Sequence, residues 1–384
     1  MEHKTHRTLA GLVSALALAV ALNGAAQADV TIGVTISTTG PGAALGIPIR
    51  NTITLWPAAI GGEKLNVIVL DDTGDPSMAT TNARRLVTEN RADVLIGSSL
   101  TPGGIAVAGV AFETETPHFA MAPVPLQPGR EKWTFILPQK VSLMAEGIFA
   151  HMKKHNVKNV GYIGFSDSWG DLWVKEFKSL AEPMGLKMVA EERYARADTS
   201  VSGQVLKLVA ARPDAVLVGA SGTGAALPQL GLRERGFQGL IYQTHGAVTK
   251  DFVRIAGKSA EGTILASGPA VVAELLPDAS PVKPPAVDYV KSYEAKFGAD
   301  TRTQFGAHAY DAMAILKRAV PVALKKAKPG TKEFRAALRD AFETEKDIAA
   351  SQGVFNFKSD DHYGLDERAR VMLTVKNGDW ALVP

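Results

Sequence analysis

Continuous apolar runs alternate with amphipathic stretches along the chain from Asp29 onward. Apolar runs at 30–36, 65–70 and 93–97 predict strands, whereas the stretches after Gly46 and at 76–90 have the spacing of helices. Strands made of uninterrupted Val, Ile and Leu are buried on both faces, which is typical of a parallel sheet with helices in front and behind. The pattern therefore predicts an α/β layer structure.

A second, similar series begins after Leu143. It predicts strands at 160–165, 187–192, 215–219 and 240–244, with helices between them. A Pro- and Ala-rich stretch at 268–285 precedes helices at 286–297 and 307–324, and the segment 353–384 alternates like a hairpin with an Asn377-Gly378 turn. The two series predict two Rossmann-like lobes with parallel sheets, and such sheets bind ligands at the carboxyl ends of their strands.

The first 28 residues have the composition of a cleavable signal peptide. Lys4 and Arg7 precede an apolar run at 9–22, and Ala26-Gln27-Ala28 supplies the small residues that a signal peptidase reads. The run breaks at Asn23-Gly24, which is too early for a permanent membrane anchor of roughly 20 apolar residues. We therefore expect cleavage before Asp29 and export to a bacterial periplasm.

Charge and cysteine content narrow the classes of function. The 384 residues carry a formal net charge of +3, and their lysines and arginines are scattered, which argues against a nucleic-acid partner. The chain has no cysteine, so neither a lipid anchor on cysteine nor a disulfide framework is available. A chain of this kind must be held together by a large hydrophobic core.

The stretch 93–104 is the strongest candidate for ligand chemistry. Its strand breaks into hydroxyls and glycines and then enters a helical pattern, so the first turn of the helix presents unpaired backbone N–H groups. No lysine or arginine lies in it, and the Gly-Lys-Ser/Thr ending of a phosphate loop is missing. The stretch favours a small carboxylate over a polyphosphate, although an ordinary capped turn has the same composition.

Enzymatic motifs are weak throughout. His151 and His155 share a helix face, but the Glu of a zinc protease motif and an evident third ligand are absent. The glycines at 219–224 are wrongly spaced for a dinucleotide loop, and a Gly-x-Ser-x-Gly nucleophile elbow is missing. The sequence predicts a protein that is not an enzyme and that needs neither a metal nor a cofactor.

Five short motifs are spaced along the chain behind the N-terminal segment. They are Thr39-Gly40-Pro41, the stretch 97–106, Ser168-Trp169-Gly170-Asp171, Glu261-Gly262 and Tyr310-Asp311-Ala312. In this order they resemble the substrate-binding proteins of branched-chain amino-acid-type ABC importers. The resemblance implies a type I periplasmic-binding-protein fold, an α/β protein with two lobes joined by three hinge crossings. It also implies a small-molecule ligand and delivery to an inner-membrane permease with its ATPase subunits.

The expected lobes are 29–141 plus 270–347 and 142–269 plus 348–384, in a monomer. The resemblance places the ligand's carboxylate on the hydroxyl of Thr101, beside Ser99, and on the backbone N–H of Ala122. Val124 stands where relatives often carry Ser or Thr, so one side-chain donor is lost. Trp169 occupies the position of an aromatic residue that stacks over the ligand.

Two further positions bear on the substrate. Amino-acid binders of this family pair the ligand's ammonium with an acidic residue where this chain has His245, and a buried unpaired ammonium is costly. Ser221 lies in a loop of small residues that leaves room for a larger ligand, and Leu45 either lines the pocket or packs beside it. These features predict the aromatic-acid-binding subgroup, with a benzoate, hydroxybenzoate or phenylpropenoate as ligand. A branched-chain or other amino-acid binder, and a periplasmic sensor or hydrolase on the same fold, remain alternatives.

Overall fold

The computed structural model describes residues 29–126 and 129–383. The predicted signal peptide at 1–28 therefore lies outside the described residues. Within the described ranges, none of the helices is both long and apolar enough to cross a membrane.

Six strands form the first sheet, and helices cover both of its faces. Successive residues of a strand point to opposite faces, so Val94 and Ile96 pack in one apolar cluster while Leu95 packs in another. The strand Val30–Ile36 pairs in parallel with the strands on either side of it, Glu63–Asp71 and Val94–Gly97. In spatial order the strands are β2 Ala59–Ile60, β3 Glu63–Asp71, β1 Val30–Ile36, β4 Val94–Gly97, β5 His118–Ala120 and β6 Thr134–Ile136. The helices of this lobe are α1 Ala43–Ile53, α2 Pro76–Thr88, α3 Thr101–Thr114, α9 Lys283–Phe297, α10 Gln304–Leu324 and α11 Lys332–Thr344.

The second sheet has seven strands, of which the last two form an antiparallel hairpin at one edge. Asn377 and Gly378 make its turn with φ of 54° and 74°, the left-handed geometry that such hairpins need, as the sequence predicted. In spatial order the strands are β15 Asp379–Leu382, β14 Val371–Lys376, β11 Ile264–Ser267, β10 Leu240–Gln243, β9 Ala215–Gly219, β7 Asn159–Phe165 and β8 Lys187–Tyr194. The helices are α4 Val141–Lys154, α5 Ser168–Glu176, α6 Ser202–Ala210, α7 Ala226–Glu234 and α8 Lys250–Ala256. A small third sheet pairs β12 Ile348–Ala349 with β13 Val354–Phe355.

Some elements differ from the sequence prediction. The strands β5 and β6 have three residues each, too few to show a period, and neither they nor β11, α8 and α11 were predicted. The helix expected at 172–184 begins earlier, at Ser168, and its regular part ends at Glu176 before a π-helical turn. His151 and His155, weighed as metal ligands, stack on each other, and His151 bonds the hydroxyl of Tyr242.

Three chain crossings connect the lobes, and buried glutamines tie them together. Gln139 lies in the first crossing, and its Nε2 donates to Ala369 O, beside the third, at 3.1 Å. Gln304 accepts from Gly268 N in the second crossing at 3.3 Å and also donates to the backbone oxygen of His245. These hydrogen bonds from buried glutamines hold the crossing segments together in the closed form that is described below.

The predicted lobe boundary at 348 differs from the packing. Ile348, Phe355, Phe357 and Ala369 belong to the apolar cluster around the first sheet, whereas β14 pairs with the second sheet. We therefore propose that the third crossing lies near residue 370.

Candidate ligand-binding cavity

A cavity with an empty volume of about 360 Å³ lies between the lobes. It sits at the carboxyl ends of the central strands of both sheets, where the strand-end loops meet. Its wall is apolar over much of its area, with a few polar groups that converge from both lobes. The lining residues are Leu45, Ser99, Leu100, Thr101, Met121, Ala122, Pro123, Pro138, Trp169, Arg196, Ser221, His245, Gly246, Phe305 and His308.

The first-lobe wall combines two hydroxyls with a strand-end loop. Thr101 is the first residue of α3, is 2 % exposed and lines the cavity, so the cavity meets the N-terminal turn of this helix, whose first N–H groups have no partner within the helix. Ser99 Oγ accepts from Ser37 N at 3.1 Å, which leaves its own O–H to donate elsewhere. Ala122 follows the adjacent strand β5. This wall offers short neutral donors that suit a carboxylate.

Trp169 forms part of the second-lobe wall, and hydrogen bonds hold both its backbone N–H and its indole N–H. Asp167 caps α5 by accepting from Trp169 N at 3.0 Å, and the indole Nε1 donates to Ala220 O at 3.2 Å. The indole ring meets the imidazole of His245 edge-on, with centroids 5.2 Å apart. An immobilised indole presents a rigid π surface to the cavity.

Arg196 is the cation of the cavity wall and was not among the sequence-predicted site residues. Its Nε donates to Asp167 Oδ2 at 2.6 Å and its Nη1 donates to Ser221 Oγ at 2.9 Å, and its guanidinium lies over the ring of Phe165. Burial lowers the pKa of Arg196, and the ion pair with Asp167 opposes that shift. Arg196 is therefore held in place by Asp167, by the ring of Phe165 and by the wall residue Ser221.

Two histidines complete the polar part of the wall. His245 is 3 % exposed, and neither of its ring nitrogens has a hydrogen-bond partner; the Nδ1 of His308 has none either. Burial lowers the pKa of each to about 3, so both are neutral at ordinary pH. Buried polar atoms without partners are uncommon in native proteins and are often reserved for a ligand.

The lobes are in contact, so the structure is a closed form. Leu45 lies on α1 of the first lobe, opposite Gly222 in the loop after β9 of the second lobe. A Cβ at Gly222 would lie 2.9 Å from Leu45 Cδ1, and Gly222 has φ of 58°. The glycine is therefore needed for both the backbone conformation and the close approach of the lobes.

The structure brings seven of the eight predicted site residues to the cavity: Leu45, Ser99, Thr101, Ala122, Trp169, Ser221 and His245. Val124 is the exception. Its side chain packs in a small apolar cluster with Ala108, Ala120 and Ile136, because it points away from the cavity towards α3. Val124 is therefore not a residue of the cavity wall.

Sequence reasoning missed Arg196, His308 and Phe305. The strand β8 ends at Tyr194 rather than at the predicted residue 192, so the loop that carries Arg196 was misplaced. His308 and Phe305 lie in the first turns of α10, which begins at Gln304 rather than at the predicted residue 307. Element boundaries, which sequence patterns locate poorly, therefore explain why Arg196 and Phe305 were missed, whereas His308 lay inside the predicted helix and reaches the cavity only through tertiary packing.

Comparison with known proteins places the chain in a family. The family model described as periplasmic binding protein matches residues 29–378. An extracellular ligand-binding receptor from Rhodopseudomonas palustris is 60 % identical, with a TM-score of 0.92 over 93 % of this chain and 99 % of that chain. The Leu/Ile/Val-binding protein homolog 3 of Brucella melitensis is 25 % identical over 369 residues, 90 % of this chain and 92 % of that protein.

A more distant structure shares the fold. It is a solute binding protein of an ABC transporter from Rhodopseudomonas palustris BisB5 in complex with 3,4-dihydroxy benzoic acid, 19 % identical, with a TM-score of 0.77 over 92 % of this chain and 95 % of that chain. This likeness supports the two-lobed fold alone. Together these matches confirm the predicted type I fold, and the chain belongs to the periplasmic binding protein family, in the branched-chain amino-acid type of substrate-binding protein.

Proposed function

We propose that this protein captures a small aromatic carboxylate in the periplasm and delivers it to an inner-membrane ABC permease with its ATPase subunits. The observation that carries the proposal is the charge of the cavity wall. Among the described lining residues Arg196 is the one with a formal charge, and it is a cation; no carboxylate lines the cavity. A wall of this kind suits an anion.

The same observation argues against an amino acid. A zwitterion would place its ammonium in the closed cavity near Arg196 and without a carboxylate to pair with, and a buried unpaired charge costs several kcal/mol. The names of relatives such as the Brucella homologue keep the amino-acid alternative open for the class. For this chain, His245 stands where the ammonium partner is expected, and its ring is neutral.

An aromatic body fits the rest of the wall. Trp169, Phe305, Leu45 and Met121 supply the apolar and π surface that an aromatic ring packs against. In the proposed pose the carboxylate lies at Thr101, Ser99 and the N–H of Ala122, and the ring packs against Trp169. Closure of the second lobe then buries the ligand, and the permease reads the closed form.

The cavity geometry favours capture over hydrolysis. A nucleophilic hydroxyl needs a base within hydrogen-bond reach, but the ring nitrogens of His245 bond to no hydroxyl. The oxygen of Ser221 instead accepts a hydrogen bond from Arg196, which is a poor base. These contacts favour a binding protein over the hydrolase alternative.

A ligand panel tests the proposal. The mature protein, unfolded and refolded to remove carried-over ligand, is compared in a thermal-shift assay with coumarate, 4-hydroxybenzoate, benzoate and leucine, and hits are measured by calorimetry. A ligand at one hundred times its Kd stabilises the native state by about 2.7 kcal/mol, which raises Tm by several degrees. We expect at least one aromatic acid to do this and leucine to do nothing. A shift with leucine alone contradicts the aromatic-acid proposal.

A further inference from the structure

The two cavity histidines have hydrogen-bonding capacity that the closed protein does not use. His245 has two unpartnered ring nitrogens and His308 has one, and the two side chains belong to opposite lobes. Each ring is almost completely buried, so water does not supply the missing partners freely. Both residues line the cavity, so a ligand bound there can supply the missing hydrogen-bond partners.

The charge balance of the cavity gives that interaction its chemistry. Arg196 is the cation among the described lining residues, and Asp167 already pairs with it through a 2.6 Å contact. An entering carboxylate therefore adds a negative charge that the wall does not fully balance, in a region shielded from water. The remaining groups that can acquire a positive charge are the two histidines.

Other ionisable groups near the pair are engaged elsewhere. Asp311, one turn after His308 on α10, binds the backbone and hydroxyl of Ser351 and the backbone N–H of Gln352. On α5, the side chains that contact His245 are the indole rings of Trp169 and Trp173, which carry no charge. The strand-end loops of the second lobe carry the ion pair of Arg196 and Asp167. Because the two rings interact with each other, they hold one shared positive charge rather than two.

We propose that His245 and His308 are the proton acceptors of this cavity, so that the protein takes up one proton when it encloses an aromatic carboxylate. The proton comes from solvent and adds to a ring nitrogen of either imidazole, giving an imidazolium that balances the ligand's charge. No covalent bond to the ligand forms or breaks.

The direction of the pH dependence follows. Without ligand, burial keeps both rings neutral, and the pKa of each is about 3. A carboxylate nearby raises the pKa of the pair, because an opposite charge favours the protonated form. Both rings line the cavity that the carboxylate enters, so its charge acts on the pair. Affinity should therefore strengthen as pH falls between the free and the ligand-bound pKa, by up to about tenfold per pH unit.

Calorimetry in buffers of different ionisation enthalpy tests this inference, which rests on the proposed capture of a carboxylate. The mature protein is titrated with coumarate, or with 4-hydroxybenzoate if coumarate does not bind, from about pH 5.5 to pH 8. The slope of observed enthalpy against buffer ionisation enthalpy counts the protons taken up. We expect a slope near one at the acid end. Either ring can hold the proton, so the double variant His245→Gln/His308→Gln should abolish the proton uptake and flatten the pH profile. His155→Gln, at an exposed position outside the cavity, should leave both unchanged.

The outcomes separate the two proposals. If neither acid binds, the proposed function fails before protons are counted. If an acid binds with a slope near zero at the acid end, the function stands and the proton inference is wrong. If the double variant does not fold or does not bind the acid, side-chain nitrogen NMR of the wild-type protein decides. Imidazolium shifts for one of the two rings on ligand addition support the inference, and unchanged neutral shifts overturn it.

Discussion

Among single residues, Thr101 is central to the proposed binding of the carboxylate. Its hydroxyl lies at the start of α3, beside helix N–H groups that also suit an anion. Thr101→Val removes the hydroxyl while keeping the shape of the side chain. A hydrogen bond to a charged group contributes about 1.5–3 kcal/mol, so affinity for an aromatic acid should fall by roughly tenfold to a hundredfold.

Calorimetry measures that loss, and the Tm of the unliganded protein shows that the variant still folds. Thr81→Val, at an exposed position of α2, is the matched control and should bind like the wild type. Full affinity in Thr101→Val would place the carboxylate at another wall of the cavity, of which Arg196 and Ser221 are the alternative.

Residue positions were predictable where a strand ends and a loop begins. Ser99, Thr101, Trp169, Ser221 and His245 all follow predicted strands, and the carboxyl ends of parallel strands meet at one edge. His308 lies on a helix whose first turn reaches the cavity only through tertiary packing, so its role could not be predicted from local pattern. Val124 does not line the cavity for a different reason: the loop after Ala122 turns its side chain into a small apolar cluster.

At the scale of elements, Asp167 links a helix cap to the cavity. One carboxylate oxygen caps α5 by accepting from Trp169 N and Gly170 N, and the other holds Arg196. Asp167→Ala removes the cap, worth about 0.5–2 kcal/mol, and leaves the mostly buried Arg196 without its partner. Both effects lower the free energy of unfolding, and the released Arg196 should change ligand affinity as well.

Asp75→Ala is the matched control, because Asp75 caps α2 through Met78 N at 2.8 Å and is exposed, outside the cavity. Thermal unfolding should show a Tm decrease of a few degrees for it and a larger one for Asp167→Ala. Calorimetry should show altered affinity in Asp167→Ala alone. Equal behaviour of the two variants would mean that Asp167 acts only as a cap.

At the scale of the whole molecule, closure depends on Gly222. A side chain there meets Leu45 across the lobe interface, so Gly222→Val should disfavour the closed form and weaken ligand binding by tenfold or more. Small-angle scattering of Gly222→Val with saturating ligand should show a radius of gyration that stays at the value of the open, unliganded protein. Gly236→Val is the control: its φ of 76° carries similar backbone strain, but no atom lies within 4 Å of its Cβ position. Closure of Gly222→Val to the wild-type radius would contradict this description of the interface.

The fold as a whole was more predictable than its boundaries. Long buried strands such as β1 and β7 have apolar runs that sequence patterns detect, so two α/β lobes could be inferred. The position of the third crossing could not be inferred in this way. In the sequence Phe355 and Phe357 look like part of the terminal hairpin, yet they pack against the first sheet. Only tertiary packing distinguishes those two assignments.

The most direct measurement is a crystal structure of the mature protein with the aromatic acid that binds best in the panel. We expect closed lobes with the ring against Trp169 and the carboxylate oxygens about 3 Å from Thr101 Oγ and Ala122 N. A carboxylate bound instead to Arg196 and Ser221, with the ring reversed, would contradict the proposed pose, and a ligand bound outside this cavity would contradict the proposed function.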